Sequence, residues 1–141
     1  MASQLICLVR HGETAWSLTG QHTGITDLPL TENGERVARL LAPVLAGREF
    51  ALVLTSPLQR ARRTCALAGL DRQAVVDDDL IEWNYGRDEG LTPQQIEAKA
   101  PGWMIFTDGC PDGNAPLSPA SFQRTLRKHA AAAAAAKEGV L

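Results

Sequence analysis

Residues 5–14 read Leu5-Ile6-Cys7-Leu8-Val9-Arg10-His11-Gly12-Glu13-Thr14. The first five are a continuous apolar run, and the next five are charged, polar or glycine. A short unbroken apolar run reads as a strand covered on both faces, the usual condition in a parallel sheet. Working outward, Ala51 to Leu54 is a second run of this kind, and Ala74 to Val76 is a weaker third. Helical patterns lie between and beyond them. Alternating strands and helices predict an α/β fold with a mainly parallel sheet. Right-handed crossovers put the C-terminal ends of all three strands on one edge, where open α/β sheets bind ligands.

The connecting elements carry their own punctuation. Residues 10–30 are polar and lack a helical period, so they predict a long functional loop. Thr31 is placed to cap a helix in which Val37, Leu40, Leu41, Val44 and Leu45 form one apolar face, ending near Gly47. Pro43 lies inside it and should bend it or remove a hydrogen bond. Ser56-Pro57 predicts a cap and first turn for a helix reaching about Gly69. Thr92-Pro93 predicts another short helix, and residues 109–119 a loop. Ser118-Pro119 opens a last helix through the alanine run Ala130–Ala136, and residues 139–141 look like the start of another strand.

The chain has 141 residues, 45% apolar and 21% charged, which suits one soluble domain over residues 1–141. A net charge of −2 provides no basic field for nucleic acid or anionic lipid, so neither is an expected partner. The apolar run at residues 5–9 is too short for a signal peptide or a membrane span, and a cytoplasmic location is expected. Cys7, Cys65 and Cys110 are an odd, scattered set without metal-ligand spacing, expected to be reduced.

Three polar groups follow the three strands: Arg10 to Thr14, Ser56 to Ala61, and Glu82 to Gly86. Their convergence on one edge suits phosphoryl chemistry. The planar donor forks of Arg10 and Arg60 match a phosphoryl group's spread charge. A neutral His11 imidazole is a nucleophile near pH 7, and Gly12 lets backbone approach a phosphate. Glu82 could protonate the leaving oxygen if burial raises its pKa. No metal or other cofactor is required, because the arginines supply positive charge. Asp77 to Asp79 read as a solvated turn, Trp83 and Trp103 as packing residues, and Arg62 and Arg63 as surface residues. Arg87 is left between a pocket role and a surface role.

Leu8 to Thr14 resembles the signature of the histidine phosphatase superfamily, which includes the cofactor-dependent phosphoglycerate mutases. The likeness extends through Trp16-Ser17, Gly20 to Gly24, Thr26 to Thr31, Thr55-Ser56-Pro57 with Arg60-Ala61, Asp77 to Leu80, Glu82 to Gly86, and Trp103 with Asp108-Gly109-Cys110. Within the family, Trp16-Ser17, Gln21, Thr23-Gly24, the three aspartates and Asp108-Gly109-Cys110 are closer to sedoheptulose-1,7-bisphosphatase-like sugar phosphatases than to glycolytic mutases. The resemblance implies a three-layer α/β/α, phosphoglycerate mutase-like fold. It implies His11 as the phosphorylated nucleophile, Arg10 and Arg60 as clamps and Glu82 as proton donor. Ser17, Thr23, Gly24 and Tyr85 are expected beside the substrate, a small phosphorylated metabolite.

The family also carries a second catalytic histidine in a late His-Gly pair. Neither His22, in the substrate loop, nor His129, in a predicted helix, fits it, and Asn114 stands where glutamate is more frequent. A C-terminally truncated or altered domain is therefore expected. It would bind phosphate with reduced turnover, and a homodimer would cover the open sheet edge. The alternatives are a phosphoglycerate mutase and a catalytically weak phosphate-binding module.

Overall fold

The computed structural model describes residues 6–115, 127, 128 and 131. Its elements run α1 (Ala15–Thr19), α2 (Glu32–Arg39), α3 (Leu41–Leu45), β1 (Val53–Thr55), α4 (Gln59–Leu67), β2 (Ala74–Val76), α5 (Pro93–Lys99) and α6 (Ile105–Asp108). β1 and β2 are parallel, with Val53 opposite Ala74, Leu54 opposite Val75 and Thr55 opposite Val76. The crossover between them contains α4. The expected α/β class with a parallel sheet is therefore present.

Residues 6–9 of the first expected strand are not in a strand among the described residues. Residues 6–10 make no backbone hydrogen bond to another described residue, and Ile6, Leu8 and Val9 are 64%, 90% and 47% exposed. An apolar run supplies strand propensity but not a partner. The ladder is a tertiary decision, and here β1 pairs with β2 alone among the described residues.

The helix expected from Thr31 breaks in two at Leu40. Pro43 has no N–H to give to the carbonyl of Arg39, so the chain tightens and Leu40 N–H turns back to Val37 O at 3.0 Å. The apolar face read from the sequence is also corrected. Val37, Leu40 and Val44 are exposed, and α2 buries Gly34 and Ala38 where it packs on α4. Small residues win that face because they let two backbones approach. A Cβ on Gly34 would lie 2.2 Å from the carbonyl oxygen of Glu13, and one on Gly12 would lie 2.7 Å from that of Gly34. The segment following His11 is thus pressed against the backbone of α2.

The loop expected over residues 10–30 contains α1, which the sequence reading missed. Thr14 caps it in a reciprocal box with Ser17: Ser17 N–H donates to Thr14 Oγ1 at 3.2 Å and Thr14 N–H to Ser17 Oγ at 2.8 Å. An antiparallel bridge from Thr14 to Leu30 closes the loop. Ser56 and Pro57 precede α4 by more than expected, because Leu58 is its cap and Ser56 Oγ accepts from Leu58 N–H at 3.3 Å. The true cap is tertiary: Asp27 Oδ1 accepts Gln59 N–H at 2.8 Å. The short helix expected from Thr92-Pro93 is α5, and Thr92 caps it in a reciprocal box with Gln95. α6 was not foreseen in the sequence.

Asp77 accepts Asp79 N–H at 2.9 Å, making residues 77–79 the expected turn. Of the last expected helix, residues 127, 128 and 131 are described and helical, and the rest lies outside the described residues, as does the strand start at 139–141. Among the described residues no helix is long and apolar enough to cross a membrane.

Gly34→Ala sets two effects against each other. Alanine gains about 1 kcal/mol of helix propensity, but its methyl meets a backbone carbonyl that cannot rotate away. Overpacking of this kind costs roughly 1–3 kcal/mol, so net destabilisation is expected in urea denaturation. Gly47→Ala, which faces open space, should change stability by less than about 0.5 kcal/mol.

Candidate phosphoryl-transfer site

A cleft of about 260 Å³ opens between the loop after His11, helix α1 and the loop carrying Glu82. Arg10, His11, Ser17, Thr23, Glu82 and Tyr85 line it, so six of the residues singled out from the sequence come together. Gly20, Gln21, His22 and Pro93 line it as well.

His11 is half-buried, and its orientation is set from two sides. Its Nδ1 lies 2.7 Å from the carbonyl oxygen of Gly12. The proton that satisfies this contact sits on Nδ1, which leaves the Nε2 lone pair free. Gly12 N–H donates to Thr64 Oγ1 at 2.9 Å, and Thr64 donates onward to Arg60 O at 2.8 Å. Thr64 and Arg60 are four residues apart on one face of α4, and both are buried. Of the three groups expected to converge, those around His11 and Glu82 meet at the cleft, while Arg60 of the third is buried on α4 and is linked through Thr64 to the backbone after His11. Burial lowers the pKa of His11 below its ordinary 6.5, and the charges of Arg60 and Arg10 lower it further. The Gly12 hydrogen bond and the field of Glu82 act the other way.

Arg60 does not line the cleft. It is 2% exposed, and its two terminal nitrogens donate to Thr26 O at 2.9 Å and Gly24 O at 2.7 Å. Three of its five N–H groups remain for other acceptors. Burial lowers its pKa, and Glu82, Asp27 and Glu89 oppose that effect. Arg10 is exposed at the cleft.

Gly24 also lies behind the cleft and not along it. A Cβ there would fall 1.8 Å from the carbonyl oxygen of Trp83, so the position is glycine for close approach of two loops. Glu82 is exposed at the rim and accepts Trp83 N–H at 2.9 Å. The burial anticipated for it is absent because no described side chain covers that end of the cleft.

Tyr85 is half-buried, and burial, then Glu82, raises its pKa, so its hydroxyl keeps its proton at neutral pH. His22 stacks edge-on against Tyr85, with ring centroids 4.7 Å apart, and its Nδ1 donates to Leu91 O at 3.0 Å. Ser17 Oγ donates to Thr14 O at 3.1 Å while its face lines the cleft, and Thr23 Oγ1 donates to Gln21 O at 3.3 Å. Arg87 takes the surface alternative, paired with Asp112 at 2.5 Å. Asn114 trades two hydrogen bonds with Asn84, at 2.8 and 2.9 Å, and so steadies the loop that carries Glu82.

Three supporting residues had no signal in one-dimensional pattern. Thr64 is a threonine inside a helix, Asp27 caps a helix that starts 32 residues later, and Glu89 is one carboxylate among many. Glu89 nevertheless accepts five donors: Gly24 N–H at 3.1 Å, Ile25 N–H at 3.0 Å, Thr26 N–H at 3.3 Å, Thr26 Oγ1 at 2.6 Å and Tyr85 N–H at 3.2 Å. Burial raises its pKa, yet the hydrogen bonds from Thr26, Gly24 and Tyr85 prevail and hold it below the ordinary carboxylate value.

The profile described as Histidine phosphatase superfamily (branch 1) matches residues 6–139. The chain belongs to the histidine phosphatase superfamily. It is 44% identical over 110 residues to an acid phosphatase of Mycobacterium tuberculosis, covering 77% of this chain and 54% of that protein. It is 43% identical over 129 residues to sedoheptulose 1,7-bisphosphatase of Saccharomyces cerevisiae, covering 75% and 48%. This histidine phosphatase chain thus spans about half the length of these curated relatives. Among solved structures, a mycobacterial glucosyl-3-phosphoglycerate phosphatase superimposes with a TM-score of 0.69 at 32% identity, covering 84% of this chain and 59% of that one.

The depressed pKa of His11 has a definite sign. The unfolded chain binds the proton more tightly, so stability rises with pH between the folded-state value and 6.5. NMR titration of the imidazole should give an inflection below 6.5. Arg60→Ala, which removes a nearby positive charge, should move it upward. An inflection above 6.5 in the unaltered chain would contradict the desolvated site.

Proposed function

We propose that this domain hydrolyses phosphomonoesters of small phosphorylated sugars through a phosphohistidine on His11. The observation that carries the reading is the His11 imidazole, fixed through Nδ1 on Gly12 O and facing a cleft that also holds Arg10 and Glu82. Nε2 attacks phosphorus as the P–O bond to the alcohol breaks. Glu82 gives its proton to the departing oxygen. Glu82 then takes a proton from water as water cleaves the N–P bond. The products are the free alcohol and phosphate, and His11 and Glu82 return to their starting states. Arg10, at the cleft, and Arg60, buried beside it and acting through its charge and the N–H groups that the two loop carbonyls leave over, stabilise the charge spread over the phosphoryl oxygens.

The lining also speaks to the substrate. Ser17, Gln21, His22, Thr23 and Tyr85 surround the cleft with hydroxyl, amide and imidazole groups, which suits a polyhydroxylated leaving group better than an apolar one. The likeness to a sedoheptulose 1,7-bisphosphatase supports the same class. A mutase reading requires the phosphoenzyme to be shielded from water, and the exposure of Arg10 and Glu82 favours hydrolysis.

Incubation with a panel of sugar phosphates should release phosphate and label His11 with an acid-labile phosphoryl group. His11→Asn should abolish the label and lower turnover by at least about 10³-fold, on the scale seen when a nucleophile is removed. Binding without release would point to the phosphate-binding module. Dependence on a bisphosphate primer with little phosphate released would point to the mutase.

A further inference from the structure

Arg60 is a buried cation held by two carbonyls, and those carbonyls belong to a loop with no regular structure of its own. Residues 24–26 make no ladder and lie in no helix. What holds them is one carboxylate. Glu89 accepts the N–H groups of Gly24, Ile25 and Thr26 and the hydroxyl of Thr26 from one side. The carbonyls of Gly24 and Thr26, on the other side of the same peptide run, accept from Arg60 Nη2 and Nη1. Glu89 also accepts Tyr85 N–H, which ties the loop to the wall of the cleft.

We propose that Glu89 is a positioning residue for the phosphate site: it anchors residues 24–26, and their carbonyls aim the Arg60 guanidinium. The proposal rests on the reading of Arg60 as a phosphate clamp. The linkage has a physical basis. An Arg fork selects a phosphate by direction as well as charge, so a guanidinium free to swing loses the benefit of its planar geometry. Peptide dipoles run through the loop from the N–H groups on Glu89 to the carbonyls on Arg60, so the anion at one end and the cation at the other reinforce each other. Gly24 cannot be replaced as a support, because the Trp83 carbonyl and a Glu89 carboxylate oxygen occupy the space where a side chain would start.

Glu89→Gln keeps the shape and removes the charge. It also turns an NH₂ toward donors that need an acceptor. Two readouts separate positioning from general support. In NMR spectra of the guanidinium groups, Arg60 should show hindered rotation in the unaltered chain and lose it in E89Q. Calorimetric titration with inorganic phosphate should show affinity reduced by about tenfold or more in E89Q, the scale on which a displaced supporting shell weakens a site. In the Arg60→Ala background, E89Q should cause no further loss. Additive losses, or an Arg60 signal unchanged by E89Q, would overturn the proposal. If Arg60→Ala leaves phosphate affinity intact, the clamp reading fails, and the guanidinium signal alone then shows whether Glu89 aims Arg60 without serving phosphate. An unaltered chain that takes up no phosphate overturns both. Thr26→Val removes only the 2.6 Å hydroxyl bond. It carries the same comparisons if E89Q fails to fold, with smaller changes in the same direction.

Discussion

The structure depends on a buried guanidinium. Arg60 is among the largest fully buried side chains, and a cation in that position must have its donors met. The Gly24 and Thr26 carbonyls meet two of them, and this obligation shapes the loop between α1 and α2. The loop must bring its carbonyls inward, which turns its N–H groups toward Glu89. Gly24 must lack a side chain so that the Trp83 carbonyl can pass. Asp27, next along, is left facing the N-terminus of α4, where it accepts Gln59 N–H and where a negative charge is favoured.

The same helix reaches His11. Thr64, one turn beyond Arg60, accepts from Gly12 N–H while donating to the Arg60 carbonyl. One polar stripe on α4 therefore sets both the nucleophile's backbone and the buried arginine. This is an unusual use of a buried helix face, and the buried set reflects it. Thr14, Thr55, Arg60, Thr64 and Asp88 are buried, against the apolar Ala38, Leu45, Ala68 and Ile96. Around the cleft, hydrogen bonds do the positioning that apolar packing does elsewhere. Such bonds are directional, so they suit a site where geometry matters.

Electrostatics follow from this placement. Burial disfavours the charged form of the His11 imidazole, and the charges of Arg60 and Arg10 act in the same direction. Neutrality leaves Nε2 nucleophilic, and the same two cations are those expected to attract the phosphoryl group. Tyr85 retains its proton for the complementary reason, since burial and nearby carboxylates disfavour a phenolate. The cleft thus offers cationic and neutral donors beside the His11 Nε2 lone pair, a combination that suits an anionic ester.

Much of the site was legible in one dimension. Arg10, His11, Ser17, Thr23, Glu82 and Tyr85 reach one cleft, and each belongs to a polar motif that stands out along the chain. The α/β class, β2, the caps Thr31 and Thr92 and the break near Pro43 were also readable, since each follows from local chemistry. The remainder was not. The run at residues 5–9 has the composition of a strand, but pairing needs a neighbour that composition does not name. The apolar positions Val37, Leu40 and Val44 suggested a buried face, yet close approach through Gly34 and Ala38 decided which side of α2 faces α4. Arg60 was recognised as important, but its burial behind the cleft depends on carbonyls 34 and 36 residues away. Residue type and local spacing settle which groups are present and where helices begin and stop. Partners distant in sequence settle which way those groups face, because hydrogen bonds and steric contacts act through space and leave no periodic mark along the chain.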